Sequence, residues 1–145
     1  MLASPLAAIR AARPDLRLFP RAIVEAVLLS EGSIGSTESV ARCLGLRNRF
    51  QLARLLKQQR VPSLHQVGAW ATILSWVLAA ERDGTSLCYL AFRAHRHPSA
   101  CYRFVKEITG LRWEQVRARG STWVERRFLK AFHLPTSCPV KLRGP

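Results

Sequence analysis

Acidic residues are scarce in this chain. Nine Asp and Glu stand against 23 Lys and Arg in 145 residues, a formal net charge of +14 with His neutral. Such an excess bears on partners and not on fold. Nucleic acid is the obvious polyanion, anionic membrane the second, and mere solubility the plain alternative. The few carboxylates are dispersed, with no paired set in one motif, which counts against acid–base catalysis. Cysteine is sparse too. Cys43, Cys88, Cys101 and Cys138 include no C-x-x-C pair, so zinc-ligand spacing is absent and no metal or cofactor is expected. Three of them fall in helical patterns, where a free Cys is usually a small buried hydrophobe. All four are expected to be reduced and structural, as in a cytosolic protein. No apolar run reaches the roughly 20 residues of a membrane span. Met1 to Pro14 is an apolar patch broken by Arg10 and Arg13, without a signal-peptide core. Its lack of acid leaves an organelle transit peptide as the weaker alternative. No segment alternates like a half-buried strand for more than a few residues, so the expected fold class is all-α.

Hydrophobic residues make up 48% of the chain, enough for a core. Residues 1–19 read as a loosely held arm with a short helix. Ile23, Val24, Val27 and Leu28 place a core-facing helix over 20–30, ended by Gly32 and Gly35. Ser36 or Thr37 caps a short helix burying Val40, Ala41 and Leu44, and Gly45 stops it. The next runs from about Asn48 to Gln59 on Leu52, Leu55 and Leu56. Leu64 to Arg82 carries two adjacent apolar stripes, a wide face suited to packing against two bodies. Asp83-Gly84 is a turn, and Thr85 or Ser86 caps a helix with Leu87, Leu90 and Ala91. After His95–His97, Pro98 or Ser99 opens a helix with Cys101, Phe104, Val105 and Ile108, ended by Gly110. Trp113 and Val116 mark a short helix broken at Gly120. Val124, Phe128, Leu129 and Phe132 mark the last one, and the Pro-containing tail 133–145 reads as extended. Trp70, Trp76, Trp113 and Trp123 fall at apolar spacing and read as core.

The chain repeats itself. Residues 36–62 and 85–111 each hold a short capped helix with a central Ala, a tight turn and a longer basic helix. The Ala pair is Ala41 and Ala91, and the longer helices share Arg54-Leu55-Leu56-Lys57 and Arg103-Phe104-Val105-Lys106. The Ala residues lie 50 apart and the Arg residues 49 apart, so one turn is a residue shorter. A short helix, a tight turn and a longer basic helix describe a helix-turn-helix. The small Ala allows the two helices to cross closely. Gly45 supplies a turn that can be left-handed, and His95 stands in its place in the second unit.

With "STESVARCLGL…LARLLKQQRVP" and "TSLCYLAF…CYRFVKEITGL", the chain resembles the AraC/XylS family of bacterial transcription regulators over about residues 20–130. The resemblance implies two helix-turn-helix subdomains, 20–62 and 84–132, joined by a linker helix at 63–83. Each would place a recognition helix in successive major-groove segments of one DNA face. His95-Arg96 replace the Gly-Phe usual in the family's second unit, and Trp113 falls near where a Pro is common. An effector domain is not expected in 145 residues.

In such a motif the N-terminal residues of the second helix face base edges. In the first unit these are Asn48, Arg49, Gln51 and Arg54. In the second they are His97, Ser99, Ala100, Tyr102 and Arg103. Asn or Gln can pair with adenine and Arg with guanine through two hydrogen bonds. Lys57 and Lys106 are expected to meet phosphate, and Arg47 and Arg96 sit near helix starts, where backbone N–H groups add to anion binding. Ser36 and Thr85 share that position. The two recognition helices should lie about 34 Å apart.

The expected function is therefore a sequence-specific, double-stranded DNA-binding transcription regulator. It is expected to be cytoplasmic, nucleoid-associated, and a monomer or weak dimer. RNA polymerase is a candidate further partner. The alternative is a helical protein-interaction module that has lost specific DNA binding. RNA is permitted by charge, but no aromatic RNA-recognition motif is visible. An enzyme is disfavoured: His95, His97 and Cys101 lack the closed spacing of a zinc site.

Overall fold

The computed structural model describes residues 3–33 and 35–137, with side-chain surroundings over 5–33 and 35–132. Among the described residues the chain is all-helical. The elements are α1 (Ala3–Ala12), α2 (Leu18–Leu29), α3 (Thr37–Cys43), α4 (Arg49–Gln58), α5 (Leu64–Asp83), α6 (Leu87–Arg93), α7 (Pro98–Thr109) and α8 (Trp113–Ser137). None of these helices is long and apolar enough to cross a membrane.

The longest unbroken helix, α5, is the centre of the core. Ser63 caps it by accepting the Gln66 N–H, and Gly84 closes it in a left-handed conformation. Leu64, Val67, Ala71, Leu74 and the second stripe of Trp70, Ile73 and Val77 are all buried. A fully buried Leu or Ile stabilises by about 1.5–3 kcal/mol, so this one helix supplies much of the folding energy. Its faces meet α2, α6, α7 and, most extensively, α8.

Within α8 the backbone leaves the helical region at Gly120 (φ 87°, ψ 173°), the expected break. A new helix start follows, and Glu81 of α5 caps it. Its carboxylate accepts the Ser121 N–H at 2.8 Å and the Ser121 hydroxyl at 2.7 Å. A negative group at that end also complements the helix dipole. Beyond the break, Phe128 and Phe132 are fully buried and pack edge to face at 5.4 Å.

Residues 3–16 are more firmly held than a loose arm. α1 packs on α8 and α2, with Ile9 and Leu16 buried. The fastening is Arg13, itself only 5% exposed. Its guanidinium donates to both Asp15 carboxylate oxygens, to the Gln59 and Arg60 carbonyls at the end of α4, and to the Phe132 carbonyl in α8. It thus satisfies carbonyls that a helix end leaves without partners. At the other terminus, α8 continues through Ser137, so the first part of the expected extended tail is helical. Residues 138–145, with Cys138, lie outside the described residues.

Two cysteines depart from expectation. Cys43 and Cys88 are free but exposed, and among the described residues Cys101 is the buried one. α3 and α6 have seven residues each, and the fully buried positions are Ala41 in one and Leu87 and Ala91 in the other. Cys43 and Cys88 occupy exposed positions on these short helices.

Candidate nucleic-acid interface

The two halves of the repeat have matching backbones. Ser36 and Ser86 cap α3 and α6, each accepting an N–H three residues on at 3.1 Å. Ala41 and Ala91 are both fully buried. After the short helix, the Leu46 N–H donates to the Ala41 carbonyl and the Arg96 N–H to the Ala91 carbonyl, each at 2.9 Å. The residue just before each of these donors is left-handed: Gly45 at φ 76° and His95 at φ 56°. Glycine takes that conformation freely, whereas a residue with a Cβ pays roughly 1–2 kcal/mol for it. The turn in the second unit is therefore the strained one.

The longer helices then follow with a shift of 49 residues. Asn48 and His97 are their N-caps. Leu52 and Leu56 in α4 match Cys101 and Val105 in α7, all buried. The correspondence continues into the next helices, where Leu64 and Val67 match Trp113 and Val116. Burying these positions turns the same outer face of each longer helix to solvent. On that face stand Arg54 and Lys57 in α4, and Arg103 and Lys106 in α7, all exposed. Each pair is spaced i, i+3 and so lies on neighbouring turns.

The remaining expected contacts are less free. Asn48 is half-buried, and its Oδ1 accepts the Gln51 N–H at 3.0 Å. Gln51 Oε1 in turn accepts the Arg47 N–H at 2.7 Å. Both amide oxygens are thus engaged by the helix start, and a two-bond adenine contact from either would compete with the cap. His97 Nδ1 accepts the Ser99 N–H at 3.3 Å and faces the Ser99 hydroxyl at 2.7 Å. Tyr102 is half-buried with its phenol 3.7 Å from Cys88 Sγ; that hydrogen bond raises the phenol above its ordinary titration range. Burial likewise pushes up the Cys101 thiol, with Arg96 opposing. The Arg96 guanidinium stands 5.8 Å over Trp76 and 5.3 Å over Phe104, a cation held on two rings.

Arg47 and Arg49 are exposed. Arg49 and Arg96 border one open depression of about 530 Å³, floored by Gly68 and Thr72 of α5 and edged by Ser36 and Glu38. The start of α4 and the approach to α7 therefore open onto the same hollow. Thr85 is half-buried and not itself a cap, since Ser86 holds that position. Phe50 was not among the sequence candidates, yet it is 62% exposed with the Arg49 guanidinium 5.0 Å over its ring. The signal was present: Phe50 falls off the Leu52, Leu55, Leu56 stripe and so faces outward.

No family model matches the chain, and neither a curated protein nor a solved structure does.

Proposed function

We propose that the chain is a double-stranded DNA-binding protein built from two helix-turn-helix units, α3–α4 and α6–α7, joined by α5. α4 and α7 are the recognition helices, entering successive major-groove segments as the resemblance to AraC/XylS regulators implies. The observation that carries this reading is the doubled unit itself. The same cap, fully buried Ala and left-handed turn occur twice, and each time the helix that follows presents an exposed Arg and Lys at the same two positions. In a chain of charge +14 those cations are suited to phosphate.

The residues divide by what they have to offer. Lys57 and Lys106 meet phosphates, and Arg47 and Arg49 add charge beside the start of α4. Arg54 and Arg103 lie a turn before these lysines and grip phosphate as well, each through a planar two-bond fork. Phe50 offers an apolar face to a thymine methyl. Arg96, held on its two rings, is a positioning residue. The reading assigns a regulatory binding role and no catalysis.

Selection of bound sequences from a random duplex library tests it. Two short enriched blocks about one helical turn apart are expected. A flat outcome with the 145-residue chain refutes sequence-specific binding.

A further inference from the structure

The side of α4 next to the start of α5 holds an open groove of about 920 Å³. Its wall is apolar: Phe50, Ala53, Leu56 and Trp70 line it. Its rim is not. Arg49, Lys57 and Arg60 stand around it, and among the described residues no Asp or Glu does. A ring as exposed as Phe50, set in an apolar hollow, is the kind of surface that protein partners cover. The uniform charge of the rim selects among such partners. A basic or neutral segment gains nothing there, whereas carboxylates flanking an apolar stripe would meet three cations while the stripe fills the hollow.

We infer that this groove receives an acidic amphipathic helix of a partner protein. Such a helix presents its apolar anchors at i, i+3, i+4 and i+7. The proposal goes beyond DNA binding and bears on its control. A helix seated here covers Arg49, Phe50 and Lys57, so peptide and duplex exclude each other from the first unit.

The test uses a labelled synthetic helix of roughly four turns, with Leu at i, i+3, i+4 and i+7 and Glu on both flanks. Its binding to the full chain is followed by fluorescence anisotropy without DNA. Saturable binding of one peptide per chain is expected. Ala53→Trp, at an exposed position, fills the groove, and Phe50→Ala removes the anchor ring; each should weaken binding about tenfold or more. Circular dichroism checks that both variants keep their helices. A peptide with Lys in place of Glu should bind at least about tenfold more weakly. Three results overturn the proposal: no saturable binding, affinity unchanged by both substitutions, or equal affinity for an acidic peptide whose Leu residues are scrambled off the stripe. Self-association abolished by Ala53→Trp would assign the groove to a second copy and overturn it too. A duplex is then added to the bound peptide. Displacement is expected, and simultaneous binding overturns the exclusion. Since the first arm contains no DNA, failure of duplex binding and failure of the groove are told apart.

Discussion

The salt dependence of duplex binding is the most direct measure of how many side chains grip phosphate. Six exposed cations stand at the proposed interface: Arg47, Arg49, Arg54, Lys57, Arg103 and Lys106. Arg96 is left out because its guanidinium is held on Trp76 and Phe104. If all six neutralise a phosphate, the slope of log K against log salt is about −0.9 times six, or about −5.4. Affinity then falls roughly 1,800-fold between about 50 and 200 mM salt. Replacing Lys57 and Lys106 together by Ala removes two contacts and brings the slope to about −3.6. Over the same range the loss shrinks to roughly 150-fold. The assay is anisotropy of a labelled duplex titrated at several salt concentrations. Arg82→Ala is the control, since Arg82 pairs with Asp83 at the end of α5. A double variant with the wild-type slope, or a control that flattens it equally, would refute the argument. The first result would mean that the two lysines touch no phosphate. The second would mean that the charge acts only as a diffuse field.

Four further outcomes follow from the packing. Arg13→Met should destabilise the fold by about 2–4 kcal/mol in urea denaturation, because three carbonyls lose a charged donor at once. Gly45→Ala should destabilise by about 1–2 kcal/mol, whereas His95→Gly should stabilise by up to about 1 kcal/mol, since both positions are left-handed. Glu81→Ala should fray the segment after Gly120, seen as faster amide exchange at Ser121 than in wild type. Asp15 and Glu25 have lowered pKa values, chiefly through hydrogen bonds from Arg13 and Arg10. Groups with depressed folded pKa values stabilise above their unfolded values, about 4, and lose that stabilisation as pH falls through the folded values. An acid titration of stability should therefore fall below about pH 4, and more shallowly in Glu25→Gln.

The elements were legible in the sequence because their signals are local. A Ser or Asn cap reaches three residues forward, and a buried stripe repeats every three or four. α3 and α6 begin just after expected Ser caps, and α4, α5 and α7 begin within a residue of the expected positions. The 50-then-49 spacing of the repeat survived as geometry for the same reason: it counts residues along one chain. The commitments of polar side chains were not legible. Arg13 reads as a charge interrupting an apolar patch, but its carbonyl partners lie 46, 47 and 119 residues away. Nothing local encodes that. Asn48, Gln51, His97 and Ser99 have the chemistry to meet a base, and also the chemistry to cap a helix. Which use the fold makes of them depends on angles at the helix start, which composition does not carry.

Aligning the longer helices by their shared shift shows where the two units agree and where they diverge. Arg54 faces Arg103 in the alignment and Lys57 faces Lys106, while Phe50 faces Ser99, Gln51 faces Ala100 and Ala53 faces Tyr102. The agreement is in charge, which grips any duplex. The divergence is in the groups that would sense base edges. A recognition surface with equal grip and unequal reading has no two-fold symmetry to match. On the DNA reading its target is then two unlike blocks met in a fixed order, and a single chain suffices to bind it. Unequal strain has the same direction: the first unit turns on a relaxed glycine and the second on a strained histidine. On that reading the first unit is the better held of the two, and α4, its proposed recognition helix, borders the cationic groove. On the same reading, control applied at that groove would act on the unit whose turn carries the less strain.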